Sequence, residues 1–260
     1  MAKPEDVTQL DVGDVHRDSD ARVALITGGA RRVGRATALH LARSGWDVVV
    51  TYFTSDTDAK RLRDDIREIG RACSIVRADF TNPEAATSAL GDAVERDFGR
   101  LDLLMHNASI YEPGDLAEVD LRQLRDNWAV HCETPVLLTR RLAPLLRSTR
   151  GTVVTMTDID LDRSRPNFLA YSMTKAGLAN LTRQLARELA PDVTVNAIAP
   201  GAVVWAEGQT DDEKQRYLER VPLGRCGSAK DVARMVGFLC TDGKYMTGQT
   251  LRLDGGRSIR

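Results

Sequence analysis

No apolar run in the 260-residue chain approaches the roughly 18 residues that a helical membrane span needs. The opening stretch MAKPEDVTQL lacks the apolar segment of a secretory signal, so the sequence predicts a cytoplasmic protein with no membrane partner. Cysteine is scarce: Cys73, Cys132, Cys226 and Cys240 are widely spaced and match neither a zinc site nor a redox pair. They read as reduced thiols. The four histidines show no ligand spacing, which argues against a metal centre. An excess of either charge is also missing, since 36 basic residues against 37 acidic ones leave a net charge of −1. Nothing in that balance would attract nucleic acid or an anionic bilayer.

What is present suits a folded core, with 42% hydrophobic and 28% charged residues. Residues 1–20 set Lys3 and Arg17 against six acidic residues with little apolar content, the composition of a mobile tail. From residue 21 the texture changes. Strand-like runs VALIT (23–27), WDVVVTY (46–52), CSIVRAD (73–79), LDLLMHN (101–107), GTVVTM (151–156), VTVNAIA (193–199) and QTLRLDGG (249–256) alternate with helical periodicity. The helical stretches are 33–44, 56–69, 84–97, 117–147, 168–189 and 228–240. Strands apolar on both faces, alternating with helices and without a linker, predict one α/β domain over 21–260 with a doubly wound parallel sheet.

The first strand runs into TGGARRVG, which places Gly28, Gly29 and Gly34 at a strand-to-helix turn. Such glycines let backbone approach a pyrophosphate whose charge the helix N-terminus favours; the alternative is a tight turn that serves packing. After the second strand an acid would bind a ribose 2′-hydroxyl, whereas a 2′-phosphate needs donors or positive charge. Here TYFTS offers Thr51, Thr54 and Ser55 with no acid before Asp56, and Arg31 and Arg32 lie in the turn. Both features favour NADPH over NADH. A different oddity closes the fifth strand, where GTVVTMTDID passes from an apolar run into Asp158 and Asp160. An uncompensated buried charge is costly, so the plain reading of this strand end is a solvated loop, and the rest of the chain must decide.

At 171–175 stands YSMTK, with Tyr171 and Lys175 four apart and hence on one helical face. A lysine beside a phenol favours the phenolate and makes it a usable proton carrier near neutral pH. Over about residues 21–257 the chain resembles the short-chain dehydrogenase/reductase family, through TGGARRVG, Asp79, HNAS (106–109), Asn127, YSMTK and NAIAPG (196–201). The resemblance implies a Rossmann-type fold and a Tyr171/Lys175/Asn127 proton relay. It implies a cofactor held by Gly28, Val33, Gly34, Asp79, Phe80, Asn107, Ala108, Ser109, Pro200 and Gly201, and by Tyr171 and Lys175, the lysine on the nicotinamide ribose. A homotetramer is likewise implied.

Three positions depart from the family pattern. Arg32 stands where the family has Gly, His106 where it commonly has Asn, and Asp158 where it has Ser, thirteen residues before Tyr171. Arg32 and Asp158 together resemble the pteridine reductase and dihydromonapterin reductase branch. That branch implies a substrate site of Arg32, Ser109, Tyr111, Asp158, Tyr171 and Trp205. Reducing a ring C=N takes a hydride to carbon and a proton to nitrogen, and a carboxyl beside Tyr171 can relay that proton. The expected activity is NADPH-dependent reduction of a dihydropteridine to its tetrahydro form. The alternatives are a carbonyl reductase acting on a 3-oxoacyl thioester and a catalytically silent NADP-sensing protein. Tyr111 and Trp205 also read as core or interface aromatics, Trp46 and Trp128 as packing residues, and His106 as packing. Arg31 also reads as a solvated charge, and Asp160, Asp162, Arg163 and Arg165 as a polar active-site loop or a solvated face.

Overall fold

Short β-branched and leucine-rich runs, buried on both faces, become the strands. In the computed structural model, which describes residues 20–259 apart from 164, 206 and 207, seven of them form one parallel sheet. These are β1 (Val23–Ile26), β2 (Asp47–Tyr52), β3 (Cys73–Arg77), β4 (Leu103–His106), β5 (Thr152–Met156), β6 (Thr194–Pro200) and β7 (Thr250–Leu253). Their spatial order is β3-β2-β1-β4-β5-β6-β7. The tail expected over residues 1–20 lies, except for Asp20, outside the described residues. No described helix is long and apolar enough to cross a membrane.

Side chains alternate across the sheet, and the two faces feed two cores. Ala24 and Ile26 of β1 join α1 (Arg32–Arg43), α2 (Asp56–Glu68) and α8 (Ala229–Cys240) through Leu41, Leu62, Ile66, Val232 and Val236. Val23 and Leu25 point the other way, toward α3 (Pro83–Asp97), α5 (Thr134–Thr149) and α6 (Leu169–Leu189), and meet Leu90, Leu138, Leu142 and Leu189. The expected doubly wound architecture is present, as a single α/β domain.

The stretch 117–147, expected as one helix, is divided. An Asp115-capped turn occupies its start, since Asp115 Oδ1 accepts the Ala117 and Glu118 amides. Helix α4 (Leu121–Trp128) then begins at Asp120, whose carboxylate caps the Gln123 N–H. A π-helical turn, Ala129–Glu133, joins α4 to α5. Helix α7 (Asp211–Leu218) was not legible because it buries no side chain and so carries no apolar stripe; a Thr210–Glu213 capping box starts it.

Carboxylates at the N-terminal end of the sheet are structural. Asp102 accepts the Val23 amide and an Arg100 fork, and Asp47 accepts the Ala72 amide and Arg71. The strand order reverses between β1 and β4, and at the opposite, C-terminal edge that reversal opens a crevice where ligands of such sheets bind.

Candidate active site

A cleft of about 650 Å³ runs along the C-terminal ends of the strands. At one end it is floored by the glycine turn. Gly28 has φ +61°, and its N–H donates to Thr51 Oγ1 at 2.9 Å. Thr51 is buried, supports the turn as an acceptor and lines the cleft beside it. A Cβ on Gly34 would stand 2.6 Å from the Gly28 carbonyl oxygen, so only glycine lets α1 pack so tightly on the turn. Asn107 stitches the turn from the other side: its Nδ2 donates to the Thr27 and Gly28 carbonyls, and the Asn107 and Ala108 amides donate to Thr27 Oγ1. Helix α1 has no side-chain cap and no acid in its first turn. Its N-terminus is therefore a ready anion site facing the cleft. Arg31, Arg32, Val33, Thr54, Ser55, Phe80, Pro200 and Gly201 line the same cleft. Asp79 does not; its carboxylate accepts the Thr81 amide and hydroxyl and shapes the loop after β3.

At the other end β5 delivers Asp158 and α6 delivers Tyr171 and Lys175. The Tyr171 hydroxyl donates to Asp158 Oδ2 at 2.8 Å, while Asp158 Oδ1 accepts the Asp160 N–H at 2.9 Å. Arg165 Nη1 lies 3.4 Å from Asp158 Oδ2 and 3.9 Å from Asp160. The solvated-loop alternative for Asp158 does not describe this carboxylate, whose side chain is only 13% exposed. Burial first, then the charge and hydrogen bond of Asp158, push the Tyr171 phenol well above its ordinary value. The expectation of a phenolate favoured by Lys175 is thus corrected: the phenol keeps its proton and donates it to the carboxylate. Lys175 donates to the Met156 carbonyl at 2.8 Å. Burial brings its ammonium down to about 8, against the opposing pull of Asp158. Burial, then the Asp158 charge, raises the Asp160 carboxyl.

Among the described residues no hydrogen bond joins Asn127 to Tyr171 or Lys175. The asparagine is 1% exposed, its Nδ2 donates to the Gln123 carbonyl, its Oδ1 has no partner, and it does not line the cleft. The side chain that α4 and its π-helical extension do bring to Tyr171 is His131, edge-on with ring centroids 5.7 Å apart. Its Nε2 is 2.9 Å from Ser109 Oγ and its Nδ1 is 2.8 Å from Thr174 Oγ1. Sequence spacing gave no sign of this, because the π-helical turn shifts which residues face inward.

Aromatic rings form one wall. Tyr111 stacks on Phe168 at 4.4 Å and meets Tyr171 edge-on at 5.0 Å, with the Arg165 guanidinium 5.3 Å over its ring. Neither Phe168 nor this use of Arg165 was foreseen; Phe168 lies three residues before Tyr171, within reach of a closer reading of that motif. Trp205 lines the cleft edge-on to Tyr217. Arg32, at φ +52°, donates from Nη2 to the Trp205 and Val204 carbonyls at 2.9 and 3.3 Å. An arginine in backbone space that favours glycine marks a strained position over the cleft. Trp46 packs in the core as expected, but Trp128 is half exposed. His106 is buried against Thr139 and held neutral by burial, its imidazolium brought down to about 3.

Residues 28–258 match the family described as enoyl-(acyl carrier protein) reductase. The chain is 34% identical to a 3-oxoacyl-[acyl-carrier-protein] reductase FabG of Staphylococcus epidermidis, over 90% of this chain and 97% of that one. This chain is a short-chain dehydrogenase/reductase. The family member is also 32% identical to a dihydromonapterin reductase of Klebsiella pneumoniae, over 94% and 99% of the two chains. Among solved structures it resembles the FolM alternative dihydrofolate reductase 1 of Brucella canis, complexed with NADP. The TM-score is 0.86 at 31% identity, covering 93% of this chain and 95% of that one. The protein is accordingly an oxidoreductase of this family.

Proposed function

We propose that this short-chain dehydrogenase/reductase reduces a dihydropteridine, of dihydrobiopterin, dihydromonapterin or dihydrofolate type, to the tetrahydro form with NADPH. The observation that carries the reading is the 2.8 Å bond from the Tyr171 hydroxyl to Asp158. Where a carbonyl reductase benefits from two hydroxyl donors to a developing alkoxide, this site pairs a phenol with a carboxylate. Such a pair suits proton delivery to a ring nitrogen.

NADPH, when bound, supplies the hydride. The fit of this chain to it rests on the uncapped N-terminus of α1 for the pyrophosphate and on Arg31, Arg32, Thr54 and Ser55 for the 2′-phosphate. Lys175 and Tyr171 would hold the nicotinamide ribose. Tyr171 and Asp158 orient the pteridine and pass the proton to nitrogen, and Tyr111, with Phe168 behind it, offers a ring face. Trp205, Ser109 and Arg32 close the pocket around the substrate. Residues 21–260 would form the NADP-binding domain of a cytoplasmic enzyme. Leu121, Trp128, Val136 and Met173, all exposed on α4, α5 and α6, suit burial in a homotetramer.

A carbonyl reductase acting on 3-oxoacyl thioesters is the second reading, favoured by the likeness to the FabG protein. NADPH consumption measured side by side with dihydrobiopterin, dihydromonapterin, dihydrofolate and an acetoacetyl thioester decides. Turnover of the thioester alone overturns the proposal, and no turnover of any would favour an NADP-sensing protein.

A further inference from the structure

The polar chain behind the cleft wall has a direction that the heavy-atom positions determine. The Ile110 N–H points at His131 Nε2 from 3.3 Å, and Ser109 Oγ lies 2.9 Å from the same nitrogen. Two donors cannot share a nitrogen that carries its own proton, so Nε2 is the acceptor. The other end of the ring gives the same tautomer independently. The Thr174 hydroxyl donates to the Tyr171 carbonyl at 2.9 Å, so at 2.8 Å it must accept from His131 Nδ1–H. The imidazole is 1% exposed, and burial reinforced by the Lys175 charge keeps it neutral.

The single proton of the Ser109 hydroxyl is thereby committed to His131. Its other possible acceptor, the Ile110 carbonyl, is 3.4 Å away, longer than a good O–H···O bond. Ser109 is itself exposed and lines the cleft. What it turns to the cleft is lone pairs alone.

We propose that His131 is a positioning residue that fixes Ser109 as a hydrogen-bond acceptor, so that this wall selects a substrate edge carrying an N–H donor. The assignment of that edge to the substrate rests on the proposed function, where an amino-substituted pteridine supplies such donors. The orientation of the histidine and serine does not. A substrate presenting a carbonyl oxygen at this point would meet an oxygen with no proton to give, and the two lone-pair surfaces would repel.

Two measurements test this separately. Histidine ¹⁵N NMR of the full-length, ligand-free protein at pH 7, with the His131 signal assigned by its loss in His131→Phe, should show Nδ1 protonated and Nε2 bare. An Nε2–H tautomer or an imidazolium overturns the proposal whatever the substrate proves to be. The second is a double-mutant cycle on steady-state turnover, run with whichever substrate the protein reduces. Losing one neutral hydrogen bond predicts that Ser109→Ala raises substrate KM about two- to tenfold. His131→Phe should do the same alone and add less than about twofold in the Ser109→Ala background. His131→Gln, which can still accept from Ser109, should recover most of the loss, and the NADPH KM should hardly move. Additive effects, an equal rise in NADPH KM, or an unchanged KM in Ser109→Ala overturns the selection of a donor edge. Correct NMR with no dihydropteridine turnover refutes the substrate reading and leaves the positioning role standing.

Discussion

Replacing Asp158 by Asn removes a charge without changing shape. In the structure one carboxylate oxygen accepts the Asp160 amide and the other accepts the Tyr171 hydroxyl at 2.8 Å. An asparagine carbonyl can keep the first contact, but its NH₂ then faces the phenol, which loses its acceptor. The charge and hydrogen bond of Asp158, which rank behind burial in raising the Tyr171 phenol, disappear, so the phenol becomes more acidic. Lys175 loses the one carboxylate that opposes its desolvation and falls below about 8. The geometry survives and the proton path does not. General acid catalysis contributes about 10²–10⁴-fold, or about 3–5 kcal/mol of barrier at about 1.4 per tenfold. Single-turnover hydride transfer, followed by NADPH absorbance with a saturating dihydropteridine, should slow by that factor. NADPH affinity, read by fluorescence titration, should stay within about threefold. Asp158→Ser should lose pteridine reduction too, and gain weak turnover of an acetoacetyl thioester. If Asp158→Asn keeps near-full hydride-transfer rates, the carboxylate takes no part in passing the proton and the assignment of this site fails.

The cofactor preference should be NADPH over NADH by at least about tenfold, about 1.4 kcal/mol, because Arg31, Arg32, Thr54 and Ser55 line the cleft where an acid would otherwise stand; equal dissociation constants refute it. Arg32→Gly relieves the left-handed strain, roughly 1 kcal/mol, against a glycine entropy cost of about 0.5–1 kcal/mol. Tm should therefore stay within about 2 °C, while NADPH KM rises at least about fivefold; an unchanged KM shows that the guanidinium only tethers Val204 and Trp205. Tyr111→Ala should raise substrate KM about fivefold with NADPH affinity unmoved, since a stacked ring contributes about 1 kcal/mol beyond buried area; unmoved substrate kinetics reduce Tyr111 to a partner of Phe168. With Lys175 brought down from 10.5 to about 8, kcat/KM should decline above pH 8 as the ammonium deprotonates, and Lys175→Met should lack that limb. The contribution of this group to stability runs the other way. Its buried charge opposes folding below about pH 8, and that cost is relieved between about 8 and 10.5 as the unfolded chain holds the extra proton; a profile flat to pH 10 contradicts the assignment.

Local chemistry determined a great deal of this protein. Runs such as VALI and TVVTM are short and rich in β-branched residues, which favours strands buried on both faces, and their alternation with amphipathic helices leaves a doubly wound parallel sheet as the economical arrangement. The glycine turn was legible because a left-handed φ at Gly28 and the clash at Gly34 admit no side chain. Asp158 stood out because a carboxylate had replaced a hydroxyl at a fixed distance from Tyr171. The tertiary structure decided what no spacing encodes. Helix α7 buries nothing and so left no periodic trace. His131 reaches Tyr171 from the π-helical turn after α4, while Asn127 within α4 is spent on the Gln123 carbonyl, and no residue spacing encodes that difference. Whether Tyr171 is phenol or phenolate depends on distances to Asp158 and Lys175 and on burial, all products of the folded chain. Residue types and their order fix which groups can do chemistry; the dielectric and the direction of each hydrogen bond exist only once the chain has closed around them.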